Sequence, residues 1–146
     1  MKVVIGITMF MFMIVSGAFV AGGNDMGAVA LFIDLPSLLV EVLGMVGLGL
    51  VAFDSNEWKS GIGMLFKKCS KDEVYPAFQF WRGMAVFSVV SSFVGLLIGV
   101  VMILQNLSDM SLLGPSLAVA MITMFYACVL YGVCRALACR AEKSLN

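Results

Sequence analysis

The chain has 146 residues, 62% of them hydrophobic and only 12% charged. Soluble domains carry about 45–50% apolar and about 25% charged residues, so this composition excludes a soluble globular protein and points to a membrane. Nine Lys and Arg balance nine Asp and Glu, and histidine is absent; the balance argues against nucleic-acid binding, and the missing imidazole excludes His-based catalysis and metal ligation.

The first apolar segment runs from Val3 to Ala21 without a charge. Lys2, an apolar core and a small-residue tail also outline a secretory signal peptide. The core is longer than the ~7–15 residues usual for one, so the segment is read as an uncleaved first span. A linker over 22–34 follows, with Asp25 and Asp34 as its charges. Asp34-Leu35-Pro36-Ser37 reads as a helix start: Asp at the cap, Pro in the first turn.

The second apolar segment is Leu35 to Phe53 and carries one charge, Glu41. Six residues from Leu35, it lies roughly 9 Å into the span at 1.5 Å per residue. An intramembrane carboxyl is a functional candidate facing protein or water; the alternative is a protonated or hydrogen-bonded Glu at a helix or subunit interface.

Residues 54–82 form the one sizeable polar stretch, with aromatics at both ends: Phe53 and Trp58, then Phe78, Phe80 and Trp81. That placement suggests an interfacial belt at two membrane exits. The flanking helices are expected to continue past the membrane, with a short turn or helix between them. The stretch is too short for a core of its own.

The third segment, Gly83 to Leu104, is uncharged. Ser88, Ser92, Gly95 and Gly99 follow one another at spacings of 4, 3 and 4, and Ser91 pairs with Gly95 one turn on. Small residues at helical spacing let backbones approach closely in lipid. The fourth segment, Ser116 to Cys134, opens on Gly114-Pro115, a helix-start signal. It repeats the small-residue pattern with Ser116, Ala120, Thr123 and Ala127. These two faces suit plain helix packing, or the lining of a pore or partner helix. Thr123 can satisfy its hydroxyl on a carbonyl one turn earlier, or orient a water or hydrated cation. Between the segments, Asn106, Ser108, Asp109 and Ser111 form a short polar hairpin.

All nine Lys and Arg lie at the N-terminus, in 54–82 or at the C-terminus. By the positive-inside rule both termini and 54–82 are cytoplasmic. The expected fold is therefore all-α: a single membrane domain over 1–146 with four transmembrane helices at about 3–21, 35–53, 83–104 and 116–134. Cys69, Cys128, Cys134 and Cys139 show no paired spacing and are expected to be free thiols. No nucleophile–base pair, phosphate loop or metal-ligand cluster stands out, so neither an enzyme nor a bound cofactor is expected.

Two blocks carry a resemblance. Phe32-Ile33-Asp34-Leu35-Pro36-Ser37-Leu38-Leu39-Val40 resembles the start of the second span in MotA/PomA-type flagellar stator A subunits. Gly99 to Gly132 resembles the same family more strongly, through Asn106-Leu107, Gly114-Pro115, Ala118-Val119-Ala120 and Thr123-Met124-Phe125-Tyr126. Related ExbB and TolQ proteins fit less well, having fewer spans. The resemblance implies a homo-oligomer, a pentamer of A-type subunits around a dimer of single-span B-type (MotB-like) subunits. In that family the complex sits in the bacterial inner membrane, and an Asp on the B-type helix carries the ion. Thr123 matches the family's pore-facing fourth-span Thr. The small faces of spans three and four would then surround the B-type helices.

Three departures qualify what the resemblance implies. Leu96 stands where sodium-driven members carry a hydroxyl, which favours protons over sodium unless Ser91 or Ser92 substitutes. Val89 stands where the family has a Pro, so a hinge is expected to be missing. The 54–82 loop is far shorter than that of flagellar members, which argues against a rotor contact. Glu41 matches an apolar position of the outer ring, which favours a subunit contact over a proton relay. Two other classes stay open: a non-conducting scaffold derived from the family, and a small transporter using Glu41.

Overall fold

The computed structural model of the chain describes residues 2–23, 26–30, 32–66, 71–105, 107 and 110–145. Asp25, Cys69, Asn106, Ser108 and Asp109, singled out above, lie outside the described residues. Among the described residues six helices follow one another: α1 Lys2–Ala21, α2 Met26–Ala30, α3 Leu35–Ala52, α4 Ser55–Phe66, α5 Lys71–Gln105 and α6 Met110–Leu145. Among the described residues no strand forms. Leu35–Ala52, Asp72–Gln105 and Leu113–Leu145 are each long and apolar enough to cross a membrane, and Ile5–Ala21 is a shorter apolar helix. The chain is a membrane protein.

The helices group into two compact units, Met1–Leu35 and Pro36–Asn146. In the first, α1 has 20 residues, about 30 Å, close to the thickness of a bilayer's hydrocarbon core. It stops at two glycines. The Gly22 amide donates to the Ala18 carbonyl at 3.0 Å, and the Gly23 amide to that of Val20 at 3.2 Å. Gly23 has φ +72°, the left-handed conformation that ends helices and that a Cβ would oppose.

In the second unit, α3 begins directly after Asp34, as the Asp-Leu-Pro-Ser sequence implies. Its C-terminal end departs from expectation. Instead of running on past Phe53, the chain breaks and restarts as α4. The cause is local: the Asp54 amide donates to Glu57 Oε2 at 2.9 Å, while the Glu57 and Trp58 amides donate to the Asp54 carbonyl at 3.0 and 3.1 Å. Asp54-Ser55-Asn56-Glu57 thus supplies one half of a capping box, in which the third helical residue reaches back to the cap amide.

The other flanking helix does continue. α5 has 35 residues and α6 has 36, about 52–54 Å each, well beyond the ~30 Å of hydrocarbon. α5 passes through Val89 without interruption, with Pro76 near its start. α6 begins at Met110, so Gly114-Pro115 does not open the helix; Pro115 lies inside it. Pro115 is its sixth residue, so the ring deletes the amide that would otherwise donate to the Ser111 carbonyl.

α5 and α6 pack antiparallel along their length: Gly99 meets Ala120, Gly95 meets Thr123, and Ala77 clusters with Ala141. α3 runs antiparallel to α5, with Gly44 at Ser91 and Gly49 at Met84. α4 folds onto the beginning of α5. There the aromatics from both ends of the stretch meet. Phe80 is the hub of one cluster, with ring centroids 5.2 Å from Phe53, 4.9 Å from Trp58 and 5.2 Å from Trp81. Met84, Ala85 and Cys134 complete it. Trp81 Nε1 donates to the Gly61 carbonyl at 3.0 Å. Met64 of α4 joins Val74, Ala77 and Ala141 in a second small cluster, so 54–82 builds its core by borrowing from α6.

Candidate functional site

The small-residue faces of α5 and α6 meet each other. Ser88, Ser92, Gly95 and Gly99 on α5, and Ala120, Thr123 and Ala127 on α6, are all buried, while Leu96 and Ser116 are half-buried. Their 3–4 spacing puts each set on one stripe, and the absence of bulk lets the backbones close in. A Cβ on Gly95 would stand 2.5 Å from Thr123 Cγ2; one on Gly99 would stand 2.7 Å from Ala120 Cβ and 3.2 Å from its Cα. Within one chain these residues form a closed seam.

Two hydroxyls of the seam are directed at backbone. Thr123 Oγ1 donates to the Val119 carbonyl at 2.9 Å, one turn earlier on its own helix. Ser88 Oγ donates to the Ala85 carbonyl at 2.9 Å. Thr123 is only 2% exposed. Beside the seam, on the outer surface of α5 and α6, lies a groove of about 170 Å³. Ser92 and Ala127 contribute to its lining, together with Val89, Phe93, Met124 and Tyr131.

A third helix completes the site, and composition gave little hint of it. Ser37, Glu41 and Gly44 lie on one face of α3 at spacings of 4 and 3. Ser37 Oγ donates to the Val119 carbonyl of α6 at 3.4 Å, the same oxygen that receives Thr123. Ser91 Oγ of α5 donates to the carbonyls of Val40 at 3.0 Å and Glu41 at 3.1 Å. The contact requires glycine at 44, because a Cβ there would collide with Ser91 Oγ. Ser91 is therefore a tie between α3 and α5. The 3–4 spacing of small and polar residues on α3 is the signal that locates this face; the hydropathy of the segment hides it.

Glu41 sits between these two ties. One turn separates it from Ser37, and one turn separates Thr123 from Val119. Since α3 and α6 run the same way, the Ser37–Val119 bond sets Glu41 level with Thr123. On the α5 side, the Gly44–Ser91 contact sets it level with Gly95. Its side chain is 0% exposed within the single chain. Among the described residues neither carboxyl oxygen has a hydrogen-bond partner.

Among curated proteins, motility protein A of Aquifex aeolicus (strain VF5) is 30% identical over 104 residues, which is 71% of this chain and 39% of that protein. The chain thus spans well under half the length of that relative. No profile of a known protein family matches the sequence, and no solved structure matches it. The identity marks a distant, partial relationship to motility protein A.

Proposed function

We propose that the chain is an A-type subunit of an ion-driven membrane motor or channel complex, housed in a bacterial inner membrane. It assembles as a pentamer around a dimer of single-span B-type subunits, and a partner Asp carries a proton along the assembly. The 30% identity to motility protein A over 71% of the chain carries this reading. The groove beside the seam supports it: Val89, Phe93, Met124 and Tyr131 wall a space of side-chain size, open to an apolar residue of a partner helix. Leu96 brings no oxygen for a hard cation, hence protons rather than sodium. α4 and the first turns of α5 replace any long loop, so a flagellar rotor contact is not part of the proposal.

Co-expression with a B-type partner tests this directly. Proton flux should vanish with the partner Asp→Asn and fall with Thr123→Ala. Flux unchanged in both variants overturns the mechanism.

A second reading is favoured by one observation: the Thr123 hydroxyl is already bound to Val119 and the seam is closed. On that reading the chain is a non-conducting scaffold that keeps the family's ring and has lost coupling. An intact complex with a B-type partner and no flux would decide for it.

A further inference from the structure

Neither reading uses Glu41, and its surroundings are unusual for a carboxyl. The hydroxyls that the α3 ties bring to its level have their hydrogens directed elsewhere. Ser37 and Thr123 both donate to the Val119 carbonyl, and Ser91 donates to the carbonyls of Val40 and Glu41 itself. None of them donates to the Glu41 carboxyl, whose two oxygens are buried without a hydrogen bond.

Nor does a cation face it among the described residues of α3, α5 and α6. On α3, Glu41 is the sole charged residue. On α5 no charged residue lies between Arg82 and Gln105, and on α6 none lies between Met110 and Arg135. The titratable side chains of that part of α6 are Tyr126, Cys128, Tyr131 and Cys134, all displaced from Thr123 toward Arg135. A bare carboxylate in so apolar a place would bear an uncompensated desolvation penalty. Binding a proton removes the charge and supplies the donor that this set of acceptors lacks.

We infer that Glu41 is a proton-binding group inside the membrane, carried by this chain itself at the level of the Gly95–Thr123 seam. It is distinct from any acid a partner subunit brings, and it does not depend on whether the complex conducts. A carboxyl at this depth is by default functional, and here the three-helix junction encloses it within one chain.

The test uses the full chain in lipid vesicles. A hydrophobic carbodiimide, which adds to protonated carboxyls in apolar surroundings, should label Glu41 in a peptide map. Labelling should decline as pH rises and be indifferent to sodium chloride at fixed pH. The infrared spectrum should contain a neutral-acid carbonyl band that shifts out as pH rises and is lost in Glu41→Gln. Absence of both the label and the band overturns the inference. Protection of Glu41 by sodium ions at constant pH also overturns it, in favour of a metal-cation site. The labelling arm needs only the wild-type chain, so it stands even if Glu41→Gln misfolds.

Discussion

Gly95 of α5 lies directly under the Thr123 side chain of α6, so close that a Cβ on the glycine would stand 2.5 Å from Thr123 Cγ2. The threonine is poorly placed to yield. Its β-branched side chain is stiff at χ1, and its hydroxyl is held by the Val119 carbonyl. Gly95→Ala should therefore force the helices apart and destabilise by about 1–3 kcal/mol, the usual range for overpacking. Denaturant titration in detergent micelles measures it, and Gly95→Val should be worse. A neutral Gly95→Ala would mean the seam is looser than described.

The α3–α5 tie makes a sharper prediction, because two residues share it. Gly44→Ala drives a methyl into Ser91 Oγ and displaces its bonds to Val40 and Glu41. The same substitution in a Ser91→Ala background meets no hydroxyl. A double-mutant cycle should then show coupling of about 0.5–3 kcal/mol, the range for residues in contact. Strict additivity would place Gly44 and Ser91 apart.

At the far end of the bundle, Trp81→Phe keeps the ring contact with Phe80 but deletes the bond to the Gly61 carbonyl. The expected loss is about 1 kcal/mol, the net worth of one hydrogen bond. Gly61→Ala should cost more, since its Cβ would run into the Phe80 ring. Thermal unfolding of both variants, followed by tryptophan fluorescence, ranks them.

Glu57→Ala removes the carboxylate that holds the Asp54 amide. The start of α4 should fray at a cost of about 0.5–2 kcal/mol, as for the loss of other helix caps. Amide hydrogen exchange over 54–58 reads this directly, and unchanged protection there would assign the helix break to something other than the box.

Much of this architecture can be read from residue order. Apolar runs locate α1, α3, α5 and α6, Asp34-Leu35-Pro36 marks where α3 starts, and the 3–4 rhythm of Ser88, Ser92, Gly95 and Gly99 marks the seam. Two kinds of information resist such reading. Helix ends beyond the apolar run depend on caps and tertiary contacts: Asp54–Glu57 stopped one extension that composition allowed, and Ala77–Ala141 packing sustained another. Pro115 misleads for the same reason, since a proline signals a helix start without forbidding another turn before it. The α3 face was hidden because Ser37 and Gly44 gain meaning only from the helices opposite them. Glu41 was conspicuous by charge alone, yet its seclusion inside one chain follows from the register of three helices.

The uninterrupted run of α5 through Val89 has a mechanical consequence. With no proline to soften its middle, and with α6 bound to it from Gly99–Ala120 at one end to Ala77–Ala141 at the other, the pair behaves as a stiff two-stranded rod. Elastic bending is expensive in such a rod, so a tilt imposed at the Thr123 level must reappear at the aromatic cap around Phe80, which the rod carries along as a rigid head.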